Sequence, residues 1–186
     1  MNARGIGLLV GLLLAANSLS ANLTWAQSGT SKGPADLDVN PIGKVLTVAG
    51  SAHIEHPTAI LAQANLPGSA NAPAKVGDLV YRGDIVQTGP DGALSIAFAD
   101  SSSFNVSNNA KMEVNDFVYD PNGHSNSSLM SLTKGTFTFI AGNIAHTGSM
   151  KVDTPVGTMG IRGTAPRVEI HEDGTVRFST LVERNK

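Results

Sequence analysis

The sequence predicts an all-β domain, and three observations support this prediction. Large apolar residues recur at every second position in several short segments, which is the spacing that buries one face of a strand. Turn-forming residues separate these segments at regular intervals. The 186-residue chain also contains 20 Gly and 9 Pro but few long helix-forming stretches, which favours many short elements joined by turns. We expect about ten short strands, either in two packed sheets or in a short β-roll or solenoid.

The alternation is clearest at residues 94–98, where Leu94, Ile96 and Phe98 are separated by Ser and Ala. Ile96 and Phe98 are therefore predicted to lie in the core. Similar alternation occurs in four other segments, at 110–115, 130–133, 137–139 and 168–170. The segments between strands contain Pro, Gly, Asn and Asp, which supply fixed or positive φ angles, at 77–78, 90–92, 108–109, 120–123, 142–143 and 173–174.

Residues 1–26 have the pattern of a secretory signal peptide. Arg4 precedes an uncharged run of 12 residues, and small residues stand at positions 24 and 26. This predicts cleavage after Ala26 and a periplasmic or secreted chain without a stable membrane span. An uncleaved signal anchor is the alternative, because the uncharged stretch continues to Lys32. Residues 27–40 are polar and rich in Gly, Ser, Pro and Asp, which predicts a flexible leader before a domain at 41–186.

Two further segments depart from the strand pattern. Residues 58–74 are rich in Ala and then in Pro, Gly and Asn, which indicates an insertion. Its start is compatible with one or two helical turns over residues 59–65, ended by Pro67 and Gly68. Residues 121–128 (PNGHSNSS) are polar and are predicted to form an exposed, mobile loop.

Histidine and cysteine content gives little support for a metal site. His53 and His56 are the closest pair, but positions three apart on a strand point to opposite faces. The other three His residues stand beside turn residues, so scattered surface histidines are the better interpretation. The chain has no Cys, which excludes disulfides, thiol nucleophiles and cysteine zinc sites. We expect no metal and no cofactor.

Enzymatic motifs are also incomplete. Asp153 and Thr154 are followed by Pro155 where an aspartic protease loop needs Gly. Residues 101–103 offer Ser hydroxyls without a nucleophile elbow, and the glycines of 157–163 lack the Lys of a phosphate loop. The net charge of −2 with dispersed Lys and Arg gives no basic cluster of the kind that binds nucleic acid. A non-enzymatic protein is therefore predicted.

The order of short motifs between residues 42 and 178 resembles the FecR-like periplasmic domain. The strongest similarities are the segment 76–89, which contains Gly83, Asp84, Thr88 and Gly89, and the segment 161–164, which contains Arg162, Gly163 and Thr164. Similar motifs also occur at 43–52, 92–102, 132–135 and 152–157, with Ser101 where the family usually has Gly. We take the seven named residues of the two strongest segments as a candidate structural or binding motif.

These residues have physical roles that do not depend on the resemblance. Gly83 and Asp84 suit a tight turn in which the Asp side chain accepts backbone N–H groups. Thr88 and Gly89 suit a turn into the next strand. Gly163 suggests a close backbone approach or a bulge, and the Arg162 side chain is free to pair with a carboxylate or a carbonyl. For the segment 162–164 we favour a structural role over a ligand site.

The resemblance implies a periplasmic module that binds a protein or an envelope component, with a role in signalling across the envelope. The alternative is a secreted carbohydrate-contacting or matrix structural protein. Family members that regulate sigma factors carry a cytoplasmic segment before a membrane helix, whereas four residues precede the apolar run here. This argues against direct regulation of a sigma factor.

The end of the sequence gives a further expectation. Residues 176–182 resemble the second strand of a hairpin, and the family's usual following turn and strand are missing, so a truncated or short C-terminus is expected. The outer edge of such a strand would be unpaired. It would recruit either a partner strand or a second copy of the chain as a weak homo-oligomer.

Overall fold

A computed structural model of the chain describes residues 40–63, 71–163 and 165–180. The predicted signal peptide lies outside the described residues, as does the predicted leader except for Asn40. The described part contains thirteen strands and two short helices. In chain order they are β1 (Gly43–Ala49), β2 (Ala52–Glu55), α1 (Thr58–Gln63), β3 (Asn71–Pro73), β4 (Leu79–Val80), β5 (Ile85–Thr88), β6 (Ala93–Phe98), β7 (Ser103–Val106), β8 (Lys111–Val118), β9 (Asn126–Ile140), α2 (Ile144–Thr147), β10 (Gly148–Thr154), β11 (Gly157–Ile161), β12 (Pro166–Ile170) and β13 (Val176–Thr180).

The chain is mostly β, as predicted, and all thirteen described strands belong to one curled sheet. The prediction of about ten strands is therefore too low for the described residues. Some of the strands are too short for an alternating pattern to be read, such as β3 and β4 with three and two residues. Strand β11 (Gly157–Ile161) was also not predicted, and it lies in the glycine-containing segment 157–163.

The 15-residue strand β9 connects the two halves of this sheet. Its first part pairs with β8 on one side and, in parallel, with β10 on the other. Its last part pairs antiparallel with β7 and β12. Gly135 lies between these parts with φ +100°, and a Cβ there would lie 2.3 Å from the Cβ of Ala110. Only glycine fits this close approach at the point where β9 passes from one half to the other.

Both halves contribute to a core that contains stacked phenylalanines. Phe98 of β6 packs edge-on against Phe104 of β7 and stacks on Phe117 of β8, with ring centroids 5.5 Å apart in both pairs. Phe104 also stacks on Phe139 of β9 at 4.8 Å. Ile96 and Phe98 are buried, which confirms their predicted place in the core.

Two predictions about the intervening segments have different outcomes. A helix does begin the segment predicted as an insertion, since α1 covers Thr58–Gln63. The prediction of an exposed loop at 121–128 is wrong for its last three residues, because β9 begins at Asn126. Both Asn126 and Ser128 are buried. The Asn126 amide bonds to the backbone of Asp120 and to the Thr147 hydroxyl. These contacts give a polar side chain the partners that burial requires.

Candidate functional site

The turn between β4 and β5 is built around a fully buried carboxylate. Gly83 has φ +87°, and Asp84 follows it with no exposed surface. Oδ2 of Asp84 accepts a hydrogen bond from the Tyr81 N–H at 2.8 Å. This is the backbone-capping role that the sequence indicates for Asp84. The turn brings β5 alongside β2 and β8, while β4 pairs with β1.

His56 covers this turn from the loop after β2. Its Nδ1 lies 2.9 Å from Oδ1 of Asp84, and its ring packs edge-on against Tyr81 with centroids 5.7 Å apart. Pro57 packs above Gly83, where a Cβ would lie 2.9 Å from the Pro57 Cγ. The expectation of scattered surface histidines is therefore wrong for His56, whose side chain is only 15% exposed.

Burial raises the pKa of the Asp84 carboxyl, although the hydrogen bonds from His56 and the Tyr81 N–H act in the opposite direction. Burial also raises the pKa of the Tyr81 hydroxyl, with a smaller contribution from the charge of Asp84. The side chains of His56, Tyr81 and Asp84 thus form one cluster inside the domain. Their geometry fits a structural anchor for the turn, since the Asp84 carboxylate is enclosed by protein and accessible to no substrate.

Thr88 and Gly89 lie at the end of β5 and hold the next turn in place. The Thr88 hydroxyl donates to the Ser107 carbonyl at 2.5 Å and accepts from the Ala110 N–H at 3.0 Å. The Gly89 N–H donates to the Ser51 carbonyl at 2.8 Å. Thr88 is buried, and all of these contacts are with backbone groups of neighbouring turns. The two residues therefore fix turn positions within the sheet.

A second buried carboxylate, Asp100, organises the turn between β6 and β7. It accepts from the Ser102 N–H and hydroxyl, at 3.0 and 2.6 Å, and from the Ile144 N–H at 3.2 Å. Ser101, at the position where the resemblance implies Gly, has φ +68°. The turn thus needs the positive φ that Gly would supply more easily.

The segment after β11 contains the remaining predicted site residues. Gly163 has φ +62°, and a Cβ there would lie 3.0 Å from Cε1 of His146. Arg162 is exposed, and its guanidinium makes no ion pair or hydrogen bond with the residues that the structure describes. Thr164 lies outside the described residues.

An open groove of about 450 Å³ lies beside Arg162. Strands β11 and β13 form its walls, and in the described part of the chain each of these strands pairs with a single neighbour, β10 and β12 respectively. The lining residues are mainly apolar or hydroxyl-bearing, and they are Met159, Gly160, Ile161, Arg162, Pro166, Phe178, Ser179 and Thr180. We call this feature the β11–β13 groove.

The apolar surface of the groove comes from the core-facing side of the sheet. Phe178 pairs across the hairpin with Val168, which is fully buried, yet Phe178 is 44% exposed. Ile161 is buried and Met159 is half-buried on the opposite wall. Phe178 thus lies on the core-facing side of β13, but neighbouring residues bury its side chain only in part.

Charge in the groove is positive. Arg162 is the one charged residue among the described residues that line it. On the β12–β13 hairpin, Glu169 accepts a hydrogen bond from Arg167 Nε at 2.8 Å and lies 3.9 Å from Arg177 Nη1. Glu169 therefore already has cationic neighbours, and the Arg162 guanidinium has no carboxylate among the groove residues.

The six predicted site residues that the structure describes thus occupy separate places in the fold. Gly83 and Asp84 lie in one anchored turn, and Thr88 and Gly89 lie in another. Arg162 and Gly163 adjoin the groove. One wall was predicted, since residues 176–182 were expected to form the second strand of a hairpin and β13 (Val176–Thr180) pairs antiparallel with β12. The sequence analysis missed the other wall, β11, for which the alternation of Met159 with Ile161 was the available signal.

Two features are absent from the described residues. Residues 40–63, 71–163 and 165–180 contain no cluster of His, Asp and Glu that could hold a metal ion. In the same residues no helix has the length and apolar character needed to cross a membrane.

Comparison with known proteins gives one match. The family described as FecR protein matches residues 84–182, which are 99 of the 186 residues of the chain. The matched region begins at the buried Asp84 and includes both walls of the β11–β13 groove. No curated protein and no solved structure matches the chain significantly.

Proposed function

Because the chain belongs to the FecR family, we propose that it is a non-enzymatic, exported module that binds a protein partner in signalling across the cell envelope. FecR proteins form a regulatory and signalling family, and FecR domains are typically periplasmic. The N-terminal pattern of Arg4, an apolar run and small residues at 24 and 26 supports export.

The observation that carries this proposal is the β11–β13 groove. It combines a partly exposed aromatic side chain, Phe178, with the Arg162 guanidinium, which has no ion-pair partner in the described part of the chain. Aromatic and Arg side chains are enriched at the centres of protein interfaces. The buried Asp84 and Asp100 are enclosed in turns, so the groove is the better place for recognition.

Site-specific photo-crosslinking in envelope fractions tests the proposal. A photoreactive residue at position 179, in the groove wall, should give one defined crosslinked protein, identified by mass spectrometry. The matched control is the same residue at position 122, in the exposed turn after β8, which should not give that product. Identical products from both positions, or no product from either, would contradict the proposal.

The signalling part has a separate test. Deletion of the gene should change transcription of a defined set of envelope genes, and the wild-type gene should restore it. An unchanged transcript profile under growth conditions in which the crosslinked complex forms would show that binding serves another purpose.

A further inference from the structure

The β11–β13 groove combines an apolar surface with a positive charge that no described lining residue neutralises. Its apolar side chains, Met159, Ile161 and Phe178, stand beside the Arg162 guanidinium, and no acidic residue is among the described residues that line the groove. A cation at the edge of an apolar surface attracts a carboxylate more strongly than it would in bulk water. The complementary ligand is therefore apolar and acidic.

The groove also has a backbone surface along one wall. β13 covers five residues, Val176–Thr180, and among the described strands it pairs only with β12. Its outer edge thus presents N–H and C=O groups without strand partners. Such an edge binds an extended segment by adding a strand to the sheet.

The geometry of an added strand matches the arrangement of the groove. Side chains of an extended segment alternate between its two faces, so every second residue points in the same direction. Phe178 lies on the core-facing side of β13, in register with Val168. A segment paired with β13 would direct alternate side chains toward Phe178 and the opposite wall, and a carboxylate at the end of that series would reach Arg162.

Charge argues against a second copy of β13 as the occupant. Residues Val176–Thr180 include Arg177 and no acidic residue, and Arg177 is 73% exposed. A second copy of β13 would therefore bring no carboxylate to Arg162, and Arg177 lies beside Glu169 on the opposite face of β13 from Phe178. A second copy of β13 thus lacks the charge that would complement the groove.

We propose that the β11–β13 groove binds an extended segment of the partner protein, with apolar residues at alternate positions and an Asp or Glu that pairs with Arg162, as an added strand on β13. The proposal rests on the proposed function, because it specifies how that partner is recognised. It assigns to Arg162 a ligand-binding role in place of the structural role favoured from the sequence.

The test uses a phage-displayed library of random seven-residue peptides, selected on the full mature chain. Enriched peptides should carry apolar residues at alternate positions and at least one acidic residue. In fluorescence anisotropy, Arg162→Gln should weaken binding of the best peptide at least fivefold. The matched control Arg167→Gln, an exposed Arg on β12 outside the groove, should leave its affinity within twofold.

Proline on the edge strand tests the mode of binding. Either Arg177→Pro or Ser179→Pro, whichever removes an outward amide, should abolish peptide binding, since proline cannot donate to an added strand. Circular dichroism and thermal unfolding establish that each variant is folded. Because Arg162→Gln changes an exposed side chain only, it keeps the proposal testable if both proline variants unfold.

Three results would overturn the inference. They are a selection without acidic peptides, peptide binding that Arg162→Gln does not weaken, and a wild-type homodimer in light scattering that both proline variants disrupt. If crosslinking at position 179 still identifies a partner in these cases, the proposed function stands and only the strand-addition mode fails. If the peptide results hold but no partner crosslinks, the proposed function is the part that fails.

Discussion

Nδ1 of His56 lies 2.9 Å from Oδ1 of Asp84, although the two residues are 28 positions apart in the chain. This contact joins the loop before α1 to the turn between β4 and β5. The carboxylate has no exposed surface and also accepts from the Tyr81 N–H. The interaction therefore closes one end of the sheet around a buried polar group, where loss of either partner is expected to be costly.

Replacement of Asp84 tests this anchor. Asp84→Ala should lower the free energy of unfolding by about 3–5 kcal/mol, because it leaves the Tyr81 N–H and the His56 ring buried without their partner. Asp84→Asn retains a side-chain oxygen for the Tyr81 N–H, so its loss should be clearly smaller. Urea unfolding of both variants provides the measurement. Equal losses would mean that the charge of Asp84, not its hydrogen bonding, sets its contribution.

The pH dependence of stability tests the raised pKa of Asp84. Because burial holds the folded-state pKa above the ordinary value of 3.8, the folded protein binds this proton more tightly than the unfolded chain. The resulting stabilisation is present below pH 3.8 and is lost as the pH rises through the folded-state pKa. Unfolding free energies of wild type and Asp84→Asn across this window should therefore diverge, with wild type losing stability relative to the variant. A relative gain by wild type would contradict the direction of the shift.

The phenylalanine core predicts a contrast between two aromatic positions. Phe98 is 5% exposed and contacts Phe104 and Phe117, so Phe98→Ala should lower the free energy of unfolding by about 3–5 kcal/mol. Phe178→Ala, at the 44% exposed groove position, is the matched control and should cost less than half as much. Denaturant unfolding measures both, and comparable losses would place Phe178 in the core.

Two glycines near the groove give a similar contrast. Gly163→Val introduces a β-branched side chain at φ +62° and places its Cβ 3.0 Å from the His146 ring, so a loss of about 1–3 kcal/mol is expected. Gly160→Val is the control, since Gly160 lies in β11 with no atom within 4 Å of its Cβ position. Thermal unfolding should separate the two variants. A Gly163→Val protein as stable as Gly160→Val would mean that this turn rearranges freely.

The prediction of export is tested by the mass of the mature protein. Cleavage after Ala26 should give a chain that starts at Gln27, measured by intact-mass spectrometry of the extracytoplasmic fraction. A chain that keeps residues 1–26 and sediments with the membrane would instead favour the signal-anchor alternative.

The sequence predicts those parts of the fold that depend on local patterns. The alternation at residues 94–98 and 111–114 corresponds to strands whose apolar side chains are buried. Successive side chains of a strand point to opposite faces, so apolar residues at every second position identify the buried face. Turn chemistry likewise predicted the backbone at Gly83 and Gly163, where the structure has positive φ. Both kinds of signal lie within a few consecutive residues.

What the sequence does not predict depends on contacts between distant segments. The start of β9 looked like a loop because Asn126 is polar, yet its amide finds partners at Asp120 and, 21 positions away, at Thr147. The His56–Asp84 contact and the parallel pairing of β9 with β10 are also non-local. The groove has the same origin, since its walls β11 and β13 are not paired with each other and meet only through the curl of the sheet.

The position of β9 has a consequence for the order in which the protein can assemble. Of the nine strands on the continuous path through the sheet, β9 is the one that joins β3-β2-β5-β8 to β7-β6-β1-β4. Before residues 126–140 are synthesised, these two groups of four strands have no strand pairing with each other among the strands that the structure describes. The described path of paired strands becomes continuous only when β9 pairs with both β8 and β7. Late synthesis of the central strand therefore delays closure of the sheet until more than two thirds of the chain has been made.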